Sequence, residues 1–220
     1  MRESEFYDRD YYDGDGKSNY VTYAEDSSPF ELHCGIIISV LERVIGSNLP
    51  TVLDIGCAKG YLVSALRARG IHAYGLDWSS YAVDKSLDDV RRTLIVGSAL
   101  HLPFKSNSFS LGVSFDVLEH LDECSARAAV RELSRVSDMQ IHQVNTGRLL
   151  EWQFDGDESH CLKLTLAGWH QLVLEEGVNT TIMCEPDGQL AQPLALLNGA
   201  RVTNFNELQD GRRVRKSTSS

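Results

Sequence analysis

Val52-Leu-Asp-Ile-Gly-Cys-Ala-Lys-Gly60 decides how this chain is read. Its first residues form an apolar strand run, glycines follow at 56 and 60, and Leu62, Val63 and Leu66 then make a helical face. A buried strand that stops at a glycine turn and opens a helix leaves N–H groups free at the helix start. It also lets a ligand approach the main chain closely. Asp54 lies inside the strand end, where an unpaired carboxylate is costly. Working outward, Gly70 closes the helix and His72-Ala-Tyr-Gly-Leu-Asp77 reads as a second strand. Asp77 falls 21 residues after Gly56, the spacing at which a carboxylate accepts both hydroxyls of a ribose.

The alternation continues on both sides. Leu32, Ile36, Val40 and Val44 form a helical stripe before the glycine turn. After Asp77 come helical Tyr81–Lys85, strand-like Thr93–Val96, the apolar run Ser110–Phe115, a helix over Ala126–Val136, a strand over Met139–Val144, and a helix capped by Thr165 that carries Trp169 and Leu172. Thr180–Cys184, Leu194–Leu197 and Ala200–Thr203 are weaker strand candidates. Such alternation predicts parallel βαβ units in an α/β, doubly wound sheet. One domain is expected over residues 31–205, preceded by a segment 1–30 and followed by a basic, disordered tail 206–220.

Composition narrows the function. The 220 residues carry 21 Lys plus Arg against 31 Asp plus Glu, a net charge of -10, which repels phosphate backbones and argues against nucleic acid. The longest aliphatic run, Ile36–Ile38, cannot span a bilayer, and the charged N-terminus lacks a signal-peptide core. A cytoplasmic protein with no membrane contact is the expectation. The five cysteines are widely spaced with no CxxC pair, so neither a disulfide framework nor a metal site is indicated. Segment 1–30 mixes Phe6, Tyr7, Tyr11, Tyr12, Tyr20 and Tyr23 with Asp and Gly, a composition that fits a flap ordering against something apolar.

Four segments together resemble the class I S-adenosylmethionine-dependent methyltransferases of small molecules. They are Asp54-Ile-Gly-Cys-Ala-Lys-Gly60, Gly75-Leu-Asp-Trp78, Gly97-Ser-Ala-Leu-His-Leu-Pro-Phe104 and Phe109-Ser-Leu-Gly-Val-Ser-Phe-Asp-Val-Leu-Glu-His-Leu121. The resemblance implies a three-layer, Rossmann-like fold with a seven-stranded, mostly parallel sheet of order 3-2-1-4-5-7-6 and a helical, tyrosine-rich N-terminal lid. It implies S-adenosyl-L-methionine as cofactor and S-adenosyl-L-homocysteine as product. Gly56, Cys57, Ala58 and Gly60 would wrap the methionine part, with Asp54 helping to hold its amino group. Asp77 would take the ribose diol, Trp78 the adenine face, and Ser98, Ala99 and Leu100 the adenine edge. Phe115 and Asp116 would stand beside the transferring methyl, and Tyr20 or Tyr23 could reach the methionine carboxylate. His120 and His160 would lie on the acceptor side, where an imidazole with a near-neutral pKa suits a base.

The chain departs from the family pattern at Ala58, where a glycine is common, at Ser98, where Asp is frequent, and at Val136-Ser-Asp-Met139, which replaces a Pro-Gly-Gly turn. His33, His72, His101, His142 and His170 read as structural. The acidic run Glu151, Asp155, Asp157 and Glu158 reads as a solvated loop face or an entrance favouring a cationic acceptor. The expected reaction is methyl transfer to an O or N atom of a small-molecule acceptor, by a monomer or homodimer. The alternatives are a methyltransferase acting on a protein or RNA and a non-catalytic partner protein of the same fold. A nicotinamide-binding fingerprint fails, because positions 58 and 61 are Ala and Tyr.

Overall fold

The structure is a computed structural model that describes residues 4–14, 28–42, 50–146, 159–178, 181–184, 189–197 and 200–204. Its centre is β1 (Thr51–Ile55), flanked in parallel by β2 (His72–Asp77) and β4 (Leu111–Phe115). β3 (Leu94–Val96) lies outside β2, and β5 (Gln140–Gln143) outside β4, again in parallel. Between them run α3 (Tyr61–Ala68), α4 (Ser80–Asp84) and α5 (Glu123–Val136), while α6 (Leu166–Glu175) leads to β6 (Thr181–Cys184). Upstream lie α1 (Arg9–Asp13) and α2 (Ser28–Val40).

Both faces of β1 are covered, as a parallel sheet requires. Val52 joins a core formed with Cys34, Ile36 and Ile37 of α2 and Leu62, Val63 and Leu66 of α3. Leu53 and Ile55 point the other way, onto Leu133 and Val136 of α5. Asp122 caps α5 by accepting from Ser125 N–H at 2.9 Å, and Ala126, Ala129, Val130, Leu133 and Val136 then line its buried face at helical spacing. Trp169, Leu172 and Val173 of α6 pack beside them.

The expected order holds from β3 through β5 and changes after it. Instead of seven strands ending 5-7-6, the described residues form a sheet of eight, in order 3-2-1-4-5-6-7-8. β6 pairs in parallel with β5, and β7 (Gln189–Leu197) and β8 (Ala200–Asn204) add antiparallel beyond it. Chain length explains the change. The crossover through α6 is long enough for a parallel neighbour, whereas residues 185–188 and 198–199 allow only hairpin connections to an adjacent antiparallel strand.

β5 is polar for a strand buried in a parallel sheet. Gln140, His142 and Gln143 are all buried. His142 donates from Nε2 to Gln140 Oε1 at 2.6 Å and accepts at Nδ1 from Ser114 Oγ at 2.7 Å, and Gln140 Nε2 donates to Val130 O at 3.2 Å. Burial holds His142 neutral, its pKa pulled down to about 3.

Candidate functional site

A cleft opens at the carboxyl ends of β1, β2 and β4, where an open α/β sheet binds its ligands. Gly56, Ala58, Asp77, Trp78, Ser98, Ala99, Leu100, Phe115 and His120, all candidates from the sequence, line it. Asp54, Cys57 and Gly60 are not on its wall; they lie in the strand end and turn that shape it. Tyr20 and Tyr23, the acidic run from Glu151 to Glu158 and the tail beyond residue 205 fall outside the described residues.

The glycine turn is bent by three left-handed residues, Gly56 (φ 74°), Ala58 (φ 47°) and Gly60 (φ 81°). A Cβ on Gly56 would stand 2.3 Å from Val117 Cγ2, so the glycine is needed for space as well as for its backbone angle. Ala58 bears the same type of angle with a side chain, at a cost of about 1 kcal/mol. Its N–H donates to Asp77 Oδ2 at 2.7 Å, and Ser79 N–H donates to Asp77 Oδ1 at 2.8 Å. The two turns are thus tied together through one carboxylate.

Burial pushes the Asp77 carboxyl up to about 6, against the donors from Ser79, Ala58 and the Tyr12 hydroxyl. Burial, and then the Asp77 charge, raises Asp54 well above the ordinary carboxylate range. Cys57 is a buried thiol whose pKa burial raises further, which suits packing rather than nucleophilic chemistry. Ser98 turns inward: its Oγ accepts from Leu100 N–H at 3.2 Å, closing the bend that carries Ala99. Arg135 of α5 pins that loop by donating to Leu102 O at 2.9 Å and Phe104 O at 2.8 Å, while Glu132 accepts from Leu102 N–H at 2.7 Å.

The N-terminal segment covers the cleft. Asp8 caps α1, and Tyr11 and Tyr12 are buried against Ala58 and Ala82. Their rings meet at 5.1 Å, Tyr7 meets Tyr11 at 4.9 Å, and Tyr12 stacks toward Tyr81 at 6.5 Å. Lys59 pairs with Asp13, which also accepts from the Tyr81 hydroxyl at 2.6 Å. The sequence marked this segment as aromatic and named Tyr20 or Tyr23 as the contact; the described residues that line the cleft are Tyr7, Tyr11 and Tyr12.

At the other end, the 118–120 turn and the 159–162 stretch are held together by Cys161 N–H and Leu162 N–H donating to Glu119 O, at 2.9 and 3.1 Å. Those bonds bring the His120 and His160 rings to 4.6 Å, and His120 Nδ1 pairs with Ser159 Oγ at 2.6 Å. Tyr7 approaches His120 edge-on at 6.1 Å. Asp116, at the end of β4, has a left-handed φ of 54° and lines the same wall. Burial raises its pKa, and the Gln143 amide, donating to its oxygens, acts against that rise. Among the described residues no group of His, Cys, Asp and Glu could hold a metal ion. No helix among them is long and apolar enough to cross a membrane.

These features fit S-adenosylmethionine. Asp77 offers a buried carboxylate on the cleft wall, Trp78 offers a flat ring with a buried Nε1 that has no hydrogen-bond partner among the described residues, and the left-handed turn presents main chain to the cleft. Residues 53–138 match the model of a methyltransferase domain family. An uncharacterized protein of Methanocaldococcus jannaschii, MJ1252, is 35% identical over 85 residues, which is 39% of this chain and 32% of that protein. The chain therefore spans about a third of the length of that curated relative.

Among solved structures, the methyltransferase in complex with the Trm112 activator of Haloferax volcanii is similar, with a TM-score of 0.52 and 20% identity over 69% of this chain and 70% of that one. A protein assigned as a methyltransferase of an antibiotic biosynthesis pathway in Anabaena variabilis has a TM-score of 0.53 and 18% identity, covering 64% and 60%. Identities that low speak for the fold. Over residues 53–138, then, this chain is similar to a methyltransferase domain family, and its fold is the one those solved structures share.

Proposed function

We propose that this protein transfers a methyl group from S-adenosylmethionine to an O or N atom of a small-molecule acceptor. The observation that carries the reading is a cleft with Asp77 and Trp78 at one end and Asp116, His120 and, behind it, His160 at the other. When bound, the cofactor supplies a methyl already activated by a sulfonium centre, so the protein's main task is alignment. Asp77 accepts the ribose hydroxyls, the Gly56–Gly60 turn receives the methionine part, and the Ser98–Leu100 bend borders the adenine. His120 and His160 take or pass the acceptor's proton, and the tyrosine-bearing segment shuts water out of the reacting end.

Calorimetric titration with S-adenosylhomocysteine tests the reading. Micromolar binding that is lost, by about a hundredfold or more, in Asp77→Ala is the expected outcome. Retained affinity in that variant refutes the ribose assignment. A second reading has the chain working with a protein partner, as its Haloferax volcanii neighbour does with Trm112. The exposed apolar side chains of Ile95 and Val96 on edge strand β3 favour it. Binding of S-adenosylhomocysteine that requires a co-purifying protein would support this reading over the first.

A further inference from the structure

Gln143 lies beside Phe115 in the sheet register, and its main-chain O accepts from Asp116 N–H at 3.1 Å. Its side chain grips the same residue, Nε2 donating to both Asp116 oxygens at 3.2 Å. The other end of that amide is fixed as well. Gln143 Oε1 accepts from Nε2–H of His33, at 3.0 Å, across 110 residues of sequence. His33 is stacked on Phe115, with ring centroids 4.0 Å apart and planes 17° from parallel. Burial keeps His33 neutral, its pKa drawn down to about 4, and because the Gln143 oxygen can only accept, the single ring proton is assigned to Nε2.

A left-handed backbone at a non-glycine residue is costly and persists only where its surroundings impose it. Here the surroundings are a buried chain from α2 through β5 to the end of β4. Its last member is a carboxylate on the cleft wall, next to the glycine turn and His120. We propose that Asp116 contacts the acceptor at the transferring methyl, and that Gln143 and His33 are positioning residues that aim its carboxylate there. The inference rests on the cofactor reading above and adds to it the carboxylate that receives the acceptor's proton first, ahead of the histidines.

In the step, the acceptor's lone pair forms the new bond to the methyl carbon while the carbon–sulfur pair stays on sulfur. The proton released from oxygen or nitrogen passes to Asp116. The acceptor class is thus a hydroxyl or amine that still carries its proton on entry. One amide nitrogen, Gln143 Nε2, donates to both Asp116 oxygens, and each oxygen keeps acceptor capacity for that proton.

The test needs no acceptor. Sinefungin bears an ammonium group where the transferring methyl would stand, and S-adenosylhomocysteine bears nothing there. Calorimetric affinities for the two are compared in the wild type, Asp116→Asn, Gln143→Leu, His33→Leu and His33→Gln. Asn tolerates the left-handed angle, so Asp116→Asn is expected to fold. Its sinefungin affinity should fall about tenfold or more, with S-adenosylhomocysteine unchanged within about twofold. Gln143→Leu and His33→Leu should shift the same ratio by about threefold, and His33→Gln, which can still donate to Gln143, should restore it. A merely structural role would move both affinities together and leave the ratio alone. An unchanged ratio in Asp116→Asn, or in Gln143→Leu, overturns the respective assignment. Failure of the wild type to bind either compound overturns the cofactor reading itself, and this inference with it.

Discussion

The Tyr12 hydroxyl donates to Asp77, the carboxylate proposed to take the cofactor's ribose, so on that proposal removing the hydroxyl should tighten cofactor binding. A carboxylate offers about four acceptor positions. On Asp77, Ala58 N–H, Ser79 N–H and the Tyr12 hydroxyl take three of them, and a ribose diol brings two donors. The diol therefore displaces the tyrosine hydroxyl before both of its bonds form. A hydrogen bond to a charged group contributes about 1.5–3 kcal/mol, so the competition lowers affinity by roughly tenfold. Tyr12→Phe removes the competitor and keeps the ring that packs on Tyr11 and Tyr81. Calorimetry with S-adenosylhomocysteine near neutral pH should show about tenfold tighter binding than in the wild type, with an unchanged thermal midpoint within a few degrees. Equal or weaker binding in Tyr12→Phe would refute the displacement argument; weaker binding would mean the hydroxyl holds the cofactor instead.

Three further outcomes follow from the same wall of the cleft. The pKa of Asp77 is raised to about 6, so the folded state favours its protonated form. Its contribution to stability is complete below the unfolded value near 3.8 and is lost as pH rises through 6, by about 1.4 kcal/mol for each tenfold difference in proton affinity between the folded and unfolded chain. Cofactor affinity runs the other way, because the diol donates to the ionised form. It should be flat above pH 6 and fall as pH drops below it, by up to about tenfold for each step of one in pH; a flat calorimetric profile from about pH 5 to neutral would contradict this. Gly56→Ala places a methyl 2.3 Å from Val117 Cγ2 at a φ of 74° and should destabilise the fold by about 2–4 kcal/mol. Scanning calorimetry should then show a midpoint about 5–10 °C lower; an unchanged midpoint would mean that the turn relaxes freely.

Much of this architecture is local and therefore readable. The glycine turn, the 21-residue step to Asp77 and the apolar runs of β1 and β4 are written in neighbouring residues. So is the Asp122 cap of α5, once the Ala126, Val130 and Leu133 stripe is seen. The order after β5 is another matter, since it depends on what short connections can span rather than on strand composition. Tyr12 did not stand out by composition, because a tyrosine-rich segment carries no mark of which ring meets Ala58. His33 read as structural for a similar reason: its partner is 110 residues away, and such a contact leaves no spacing to detect. One signal was present. A strand reading Gln140-Ile-His-Gln143, in a place where parallel sheets are apolar, already asked for buried partners.

That polar strand also bears on how reliably the molecule is made. A parallel strand of plain aliphatics can shift by a residue and still bury greasy surface, but a shift here exchanges faces for every side chain. Gln140, His142 and Gln143 would each lose their companions on Ser114, Val130, His33 and Asp116. Each buried polar group left alone costs about 1–3 kcal/mol, and three of them would consume much of the roughly 5–15 kcal/mol that holds a domain folded. β5 works as a proofreader of the sheet: misaligned copies are too unstable to accumulate, so the molecules that survive folding carry Asp116 at one place on the wall.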